Sequence, residues 1–212
     1  MNNKTLLLVG GGEHAAVVYD AVLSDDQRSW TSVFYVSPED GKGIIKTLER
    51  ICSDEEGLEI SERADVVLAI GAIDCRDLRD KLFAKYNSRV KSWAAVVHVA
   101  ATLSQSASIG FGTVVLAGAI VGPGANVGRH CIVNSNSVIE HDVQLSNFVT
   151  VGPSVTIGGG VMVGSRASIG IGAVIRDHVK IGESATIGMG AVVTKDVADG
   201  NTVFGNPARV IE

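Results

Sequence analysis

The chain has few aromatic residues, few cysteines and no long apolar run. Only 5% of its 212 residues are aromatic although 46% are hydrophobic, so small aliphatic side chains have to fill most of any core. The three cysteines, Cys52, Cys75 and Cys131, are odd in number and far apart. This spacing fits neither a disulfide framework nor a paired-cysteine zinc site, and we interpret the three as reduced thiols.

Charge and hydropathy exclude several classes of partner. The formal net charge is −5 and the pI is near 5.5, which argues against binding to nucleic acid or to an anionic membrane. No apolar run approaches the roughly 18 residues that a membrane span needs. The apolar stretch near the start is too short for a signal peptide. These features predict a cytoplasmic protein with no nucleic-acid or membrane partner.

The first 94 residues alternate between strand-like and helix-like segments. Aliphatic runs at 6–9, 32–36 and 66–70 are predicted strands, and segments 13–23 and 74–86 are predicted helices. Strands that are separated by helices form parallel sheets through right-handed crossovers. Residues 1–94 are therefore predicted to form a Rossmann-like α/β domain.

The remaining residues, 95–212, follow a six-residue period. From Leu103 to Val193 every sixth residue is Leu, Ile or Val, in sixteen consecutive hexads, and glycine comes next in nine of them. The fourth residue after each aliphatic one is always Ala, Val, Ser, Thr or Cys. A helix repeats every 3.6 residues and cannot use this period, whereas short strands joined by sharp turns can. Three hexads close one triangular turn, which predicts a parallel β-helix of about five turns.

His141 is the first candidate for a catalytic residue. It follows the inward-facing Ile139 by two positions, which places it at an outward corner of the coil. An imidazole with a pKa near 6.5 is suited to accepting a proton close to neutral pH. The adjacent Asp142 is able to orient the ring and raise its basicity. A solvated histidine beside an unrelated acid explains these two residues equally well.

Histidine-ligated zinc is a weaker interpretation of the same region. His141 and His178 are 37 residues apart, two turns of the coil plus one residue. That separation is roughly 10 Å along the coil axis, too far for both to bind one metal ion within a subunit. His130 belongs to a different face. The sequence predicts no metal, and we expect His130 and His178 to be surface residues.

The glycine-rich turn at residues 10–15 follows a strand and precedes a helix, which is the setting of a phosphate-binding loop. An NAD site also requires an acidic residue at the end of the second strand, about 20 residues further on. That strand ends at Ser37, and no carboxylate follows until Glu39, so NAD is disfavoured. Gly71 ends the third strand at the edge where such sheets bind ligands, although turn geometry alone explains this glycine equally well.

Four features occur together in this chain. They are the G-G-G-E-H-A turn at 10–15, the uninterrupted hexads, the I-E-H-D segment at 139–142, and the G-N-P-A-R segment at 205–209. In this combination the chain resembles the nucleotide-aminosugar N-acetyltransferases of the bacillosamine and perosamine pathways, which are related to sialic acid O-acetyltransferases. The resemblance covers nearly the whole chain. It implies a left-handed β-helix, acetyl-CoA as the acyl donor, and a homotrimer with active sites between neighbouring subunits.

The resemblance also implies roles for particular residues. His141 is the implied general base, and Asp142 the acid that supports it. The implied positions for the nucleotide-sugar substrate are Gly12, Glu13, His14, Ser37, Gly71 and Asn134. The implied coenzyme positions are Thr150, Ile171 and Met189. Ordinary corner packing or a subunit interface is an alternative for Ile171 and Met189, and an asparagine ladder along the coil is an alternative for Asn134.

Three functions from different classes remain open at this point. The leading one is acetyl-CoA-dependent N-acetylation of a nucleotide-linked 4-amino-4,6-dideoxy sugar, with His141 removing the proton from the amine. The second keeps the chemistry but acetylates a hydroxyl of sialic acid or a related sugar. The third is a trimeric scaffold without enzymatic activity. The sequence leaves open whether the nucleotide is UDP, GDP or dTDP.

Overall fold

The computed structural model describes residues 4–25, 30–71 and 76–211. The chain divides into two compact units, Met1–Val99 and Ala100–Glu212. The boundary expected from the sequence, after residue 94, lies within five residues of this division. Cys52 is exposed and Cys131 is buried, both as thiols, whereas Cys75 lies outside the described residues.

The first unit contains a five-stranded parallel sheet with the order β3-β2-β1-β4-β5. Its strands are β1 (Thr5–Val9), β2 (Ser32–Val36), β3 (Glu49–Ile51), β4 (Asp65–Leu68) and β5 (Ser92–Trp93). Its other elements are α1 (Glu13–Leu23), a 3-10 helix (Gly43–Thr47), α2 (Asp54–Ser61), α3 (Arg76–Asn87) and β6 (Val96–Val97). The α/β fold and the three predicted strands are confirmed. The predicted start of the last helix, at residue 74, lies outside the described residues.

Three elements of this unit, β3, β5 and α2, were not predicted from the sequence. The two strands are only three and two residues long, so they carry no alternating pattern, and pairing with β2 and β4 defines them. The helix does have a local signal, because the Oγ of Ser53 accepts a hydrogen bond of 3.2 Å from the backbone N–H of Glu56. Serine followed three residues later by glutamate is a helix-start signature.

The position of β1 in the sheet determines where this unit can bind a ligand. Leu6, Leu7 and Leu8 are completely buried, as expected for a central strand covered on both faces. The chain runs from β1 to β2 on one side of β1, and β4 pairs with β1 on the other side. The order of strands therefore reverses next to β1. In such sheets ligands bind at the carboxyl ends of the strands beside this reversal.

The second unit is a left-handed β-helix, and within the described range 100–211 it contains sixteen two-residue strands between Thr102 and Val193, followed by two further strands. Face 1 contains β7 (Thr102–Leu103), β10 (Ile120–Val121), β13 (Val138–Ile139), β16 (Thr156–Ile157), β19 (Val174–Ile175) and β22 (Val192–Val193). Face 2 contains β8 (Ser108–Ile109), β11 (Asn126–Val127), β14 (Gln144–Leu145), β17 (Met162–Val163) and β20 (Lys180–Ile181). Face 3 contains β9 (Val114–Val115), β12 (Ile132–Val133), β15 (Thr150–Val151), β18 (Ser168–Ile169), β21 (Thr186–Ile187), β23 (Thr202–Phe204) and the antiparallel β24 (Arg209–Val210).

The hexad pattern predicted these strands because the second residue of each points into the coil. Each strand pairs in register with the strand 18 residues away, as Val121 does with Ile139. All the predicted aliphatic positions are buried except Leu103 and Ile109, which belong to the first turn. The small residue four positions later keeps the narrow interior from overcrowding. The predicted hexapeptide coil is therefore confirmed.

The turns between faces stack into three corners. Corner 1–2 joins face 1 to face 2 at residues 105–106, 123–124, 141–142, 159–160, 177–178 and 195–196. Corner 2–3 includes residues 111–112, 129–130, 147–148, 165–166 and 183–184, and corner 3–1 includes 117–118, 135–136, 153–154, 171–172 and 189–190. The second residue of every turn from Gly112 to Gly190 has a positive φ, whether or not it is glycine. Corner side chains at this position therefore project in one fixed direction.

None of the helices in the described ranges is long and apolar enough to cross a membrane.

Candidate active site

The first candidate group is an imidazole–carboxylate pair at corner 1–2. His141 lies in the turn between β13 and β14, with 58% of its side chain exposed. Its Nδ1 is 2.9 Å from Oδ2 of Asp142, whose φ is +59°. The hydrogen bond to Asp142 is the main cause that raises the pKa of His141, and the charges of Asp142 and Glu140 act in the same direction. The corner position and outward orientation expected for His141 are confirmed.

The other nitrogen of the ring, Nε2, faces Gly159 in the next turn of the coil. A Cβ atom at residue 159 would lie within 2.5 Å of Nε2 and would collide with the ring. The backbone holds the two turns together, because the N–H of Gly160 donates a 2.9 Å hydrogen bond to the carbonyl of His141. Neutral His141 donates from Nδ1 to Asp142, which leaves the lone pair of Nε2 free. The pair is therefore arranged as a base whose open nitrogen lies over a glycine.

Gly159 also offers a hydrogen-bond donor at this place. No described residue accepts a hydrogen bond from its backbone N–H. A backbone N–H beside a reacting carbonyl stabilises the negative oxygen that forms during acyl transfer. Gly159 was not predicted as a site residue, although its spacing of 18 residues from His141 is a signal for contact between successive turns.

Corner 3–1 carries two of the three predicted coenzyme residues. Ile171 and Met189 are 57% and 72% exposed, and they lie one turn apart on the same corner, where the N–H of Gly190 donates a 2.8 Å hydrogen bond to the carbonyl of Ile171. Together they form an apolar ridge along the coil. Thr150 is elsewhere: it lies on face 3 and is only 6% exposed.

Asn134 lies at the start of corner 3–1, between β12 and residues 135–136. Its Nδ2 donates a 2.8 Å hydrogen bond to the backbone carbonyl of Val151 in the next turn. Within one chain, face 1 therefore separates Asn134 from His141. The hydrogen bond is the one expected of an asparagine that braces successive turns.

Four of the predicted substrate residues meet in one cavity of the first unit. The cavity has a volume of about 450 Å³ and lies where the strand order reverses; its lining consists of Gly12, Glu13, His14, Val17, Ala69, Ile70, Gly71 and Leu78. The backbone N–H groups of Gly12, Glu13 and His14 donate to none of the described residues. They belong to the N-terminus of α1, where unpaired N–H groups favour anions.

The side chains around this cavity leave room for an anion. The Glu13 side chain is 87% exposed, and its carboxylate is 3.6 Å from Nζ of Lys42. The His14 ring packs so closely on Gly71 that a Cβ there would lie 2.5 Å from Cγ of the ring. Burial, with a smaller effect from the charge of Arg79, lowers the pKa of His14 to about 4. Glu13 is therefore turned toward Lys42, and His14 is neutral at physiological pH.

Ser37 does not line this cavity. It follows β2 and packs on Gly11, where an added Cβ would lie 2.9 Å from the Cβ of Ser37. Its Oγ accepts a hydrogen bond of 3.3 Å from the backbone N–H of Glu39.

One expectation about histidine was wrong. His130 is only 1% exposed, because its ring lies between Phe111 and Phe148, with centroid distances of 6.0 and 5.0 Å. The sequence suggested a surface residue because contacts between successive turns are not visible in a hexad. His178 is exposed, as expected. Within the described ranges, no group of three or more His, Cys, Asp or Glu side chains is placed to hold a metal ion.

Comparisons with known proteins show which families and structures this chain is similar to. A model of the bacterial transferase hexapeptide (six repeats) matches residues 160–195. The acetyltransferase domain of PglB from Neisseria gonorrhoeae is 30% identical, with 99% of this chain and 100% of that chain covered and a TM-score of 0.88. The same domain in complex with acetyl coenzyme A is 29% identical, with the same coverage and a TM-score of 0.89. A comparison with curated proteins finds no match.

A third similar structure comes from a different enzyme. It is the H141N mutant of perosamine N-acetyltransferase from Caulobacter crescentus, in complex with CoA and GDP-perosamine. It is 28% identical, with 98% of this chain and 97% of that chain covered and a TM-score of 0.87. Both similar proteins therefore match this chain over both of its units. The α/β unit with its phosphate-type turn, the hexapeptide coil and the similarity over the full length lead to one conclusion: the chain is an acetyltransferase that belongs to the hexapeptide-repeat nucleotide-aminosugar N-acetyltransferase family.

Proposed function

We propose that this protein transfers the acetyl group of acetyl-CoA to the amine of a nucleotide-linked 4-amino-4,6-dideoxy sugar, with His141 as the general base. The observation that carries the proposal is the His141–Asp142 pair, whose open Nε2 lies over Gly159. Acetyl coenzyme A bound to the PglB domain, and CoA with GDP-perosamine bound to the perosamine enzyme, support this choice of substrates. The proposed location is the cytoplasm.

The reaction is an acyl transfer in which each group at corner 1–2 has one task. The amine attacks the thioester carbonyl carbon while Nε2 of His141 takes its proton, and Asp142 stabilises the imidazolium that forms. The carbonyl oxygen becomes negative, and the free N–H of Gly159 is the donor available to it. The carbon–sulfur bond then breaks, and the imidazolium returns the proton to the leaving sulfur. The products are the amide and CoA with a free thiol.

The cavity at the start of α1 is the proposed site for the nucleotide diphosphate. Unpaired N–H groups of Gly12, Glu13 and His14 lie at the positive end of the helix, where they can bind phosphate oxygens. The orientation of Glu13 toward Lys42 keeps its carboxylate from opposing the ligand. Gly71 lines the same cavity, and because it has no side chain the His14 ring packs directly on it.

We also propose that three copies assemble through face 1. The outward residues of this face are uncharged, and Ile120 and Val174 are 43% and 42% exposed; the full set is Thr102, Ile120, Val138, Thr156, Val174 and Val192. Face 2 is mostly polar at the same positions, with Ser108, Asn126, Gln144 and Lys180, and Met162 is the one apolar residue among them. An uncharged, largely apolar and partly exposed surface of this kind is typical of a protein–protein interface.

The two edges of face 1 carry the residues that a shared active site between protomers requires. One edge carries the His141 corner, and the other edge carries the Ile171 and Met189 ridge. When three copies pack around an axis parallel to their coils, the first edge of each protomer meets the second edge of the next. The thioester held along the ridge of one protomer then comes within reach of His141 of its neighbour. Asn134, on the ridge side, reaches the same seam.

A matched pair of variants tests this assembly. Val174→Lys places a charge on face 1, whereas Met162→Lys places the same charge on face 2, at a residue of similar exposure. We expect light scattering to give a trimer for the wild type and for Met162→Lys, and a monomer for Val174→Lys. A wild-type monomer, or trimers of both variants, contradicts the proposed interface.

A thiol-release assay tests the function itself. The acceptors are UDP-, GDP- and dTDP-linked 4-amino-4,6-dideoxy sugars together with free sialic acid. We expect release of CoA thiol with at least one nucleotide aminosugar, and mass spectrometry of that product to show one acetyl group on nitrogen. Acetylation of sialic acid alone would establish O-acetylation instead. Calorimetry that shows no binding of acetyl-CoA would leave the scaffold function as the remaining choice.

A further inference from the structure

A second imidazole faces the glycines beside His141. The ring of His178 overlaps the space next to Gly160, where an added Cβ would lie 2.5 Å from its Nδ1. The ring of His141 occupies the corresponding space next to Gly159. Three successive turns of corner 1–2 thus place the two rings on either side of the Gly159–Gly160 pair.

Backbone hydrogen bonds fix this arrangement. The N–H of Gly160 donates to the carbonyl of His141, and the N–H of His178 donates to the carbonyl of Gly159, each over 2.9 Å. His178 has a φ of +58°, which directs its side chain back along the corner toward Gly160. The two histidines therefore point toward each other although their backbones are two turns apart.

The space between the rings is narrow enough for one hexose to reach both. Cβ positions of neighbouring residues lie no more than about 6 Å apart, so Nε2 of His141 and Nδ1 of His178 are separated by at most about 11 Å. No side chain projects from Gly159 or Gly160 into this space. Both histidines are exposed, so a ligand from solvent can reach both rings.

We propose that His178 binds the acceptor sugar, through a hydrogen bond between its Nδ1 and the hydroxyl next to the reacting amine. This inference rests on the proposed function. The amine has to lie within about 3 Å of Nε2 of His141 to lose its proton there. The rest of the hexose then lies over the two glycines, toward His178. Imidazole nitrogens and sugar hydroxyls are each able to donate or accept, so the pair is complementary in either direction.

Two substitutions at residue 178 distinguish the contribution of the imidazole ring from that of the backbone. Glycine tolerates the positive φ of residue 178 without strain, and so His178→Gly removes the ring alone. Asparagine also tolerates this φ, and His178→Asn keeps a polar group near the position of Nδ1. The control is Ser184→Gly, at a residue with a φ of +56° on corner 2–3. The assay measures KM and kcat for each substrate by release of CoA thiol.

We expect His178→Gly to raise the KM for the nucleotide aminosugar roughly two- to tenfold, as the loss of one hydrogen bond predicts. The KM for acetyl-CoA and the pH profile should not change, His178→Asn should recover much of the loss, and Ser184→Gly should behave as the wild type. With a 3-deoxy acceptor, which lacks the neighbouring hydroxyl, wild type and His178→Gly should have equal KM values.

Several results would overturn the role of His178. They are an unchanged acceptor KM in His178→Gly, a rise in the acetyl-CoA KM instead, an equal loss with the 3-deoxy acceptor, or an equal loss in Ser184→Gly. In each of these cases the wild type is active, so the proposed function stands. A wild type that releases no CoA thiol with any nucleotide aminosugar refutes the proposed function and this inference together.

Discussion

Nδ1 of His141 lies 2.9 Å from Oδ2 of Asp142, and this contact leaves Nε2 over Gly159 in the next turn of the coil. The carboxylate therefore acts on Nδ1, and in the proposed mechanism the other nitrogen takes the proton of the amine. It fixes the tautomer and raises the pKa of the ring, with a smaller contribution from the charge of Glu140. Basicity and orientation of His141 thus depend on the same neighbour.

Asp142→Asn should shift the pH profile in a known direction. The asparagine preserves the shape of the side chain and tolerates the φ of +59°, but it removes the charge that raises the pKa of His141. The base must be neutral to act, so the acidic limb of kcat/KM should move to lower pH, and the rate on the plateau should fall because the ring is weaker and less well held. The measurement is kcat/KM for the acceptor between about pH 5 and 9. A limb that stays in place, or moves to higher pH, contradicts the role of Asp142.

Replacement of His141 by Asn should lower kcat by about 10²- to 10⁴-fold, the usual contribution of a general base. Calorimetry should show unchanged binding of acetyl-CoA, and light scattering an unchanged mass, because the residue is exposed and supports no core. His98→Asn is the matched control, since His98 also faces a carboxylate, that of Asp20 at 4.0 Å, but lies in the first unit. Turnover near that of the wild type in His141→Asn removes this residue from the mechanism.

Gly159→Ala should reduce turnover by moving the base. The new methyl group collides with Nε2, and a displacement of about 1 Å is enough to lower a rate by as much as 10²-fold. The ring tip is free to move, so we expect the melting temperature to change little. The His141→Ala background provides the control, because there the same substitution should have no further effect on the residual rate. Equal losses in both backgrounds would show that Gly159 acts independently of the ring.

Gly71→Ala should weaken binding of the acceptor but not of the donor. The added Cβ would lie 2.5 Å from the His14 ring, so the ring has to move within the proposed diphosphate cavity. Steady-state kinetics should therefore give a raised KM for the nucleotide aminosugar and an unchanged KM for acetyl-CoA. An unchanged acceptor KM contradicts the assignment of this cavity.

His14 should make the first unit less stable in acid. Its pKa is about 4 in the folded chain and near 6.5 in the unfolded chain, so between these values only the unfolded chain binds the proton. The free energy of unfolding should then fall by up to about 3 kcal/mol as the pH drops from about 6.5 to 4. Urea unfolding followed by tryptophan fluorescence is suitable, since the two tryptophans, Trp30 and Trp93, both belong to this unit. In His14→Asn this part of the pH dependence should disappear; parallel curves for the two proteins would refute it.

The coil and the corner position of His141 and Asp142 could be predicted from the sequence alone. Only an aliphatic residue fits the inward position of a narrow coil, so sixteen hexads repeat one signal, and each predicted strand is present. His141 and Asp142 are adjacent, and their position two residues after Ile139 was enough to place them at a corner. The strand–turn–helix pattern at residues 5–23 was also visible in a short stretch of sequence. Its glycines predicted the position of the cavity that Gly12, Glu13 and His14 line together with Gly71.

The contacts between successive turns of the coil follow only from the three-dimensional structure. Three contacts of histidine rings depend on residues that stack at the 18-residue repeat. They are the contacts of His141 with Gly159, of His178 with Gly160, and of His130 with Phe148. The same is true of β3 and β5, which are too short to show a pattern and exist because a neighbouring strand pairs with them. A local pattern specifies the direction of one side chain relative to its own backbone. What that side chain contacts depends on how the coil closes, because closure brings distant residues to the same place.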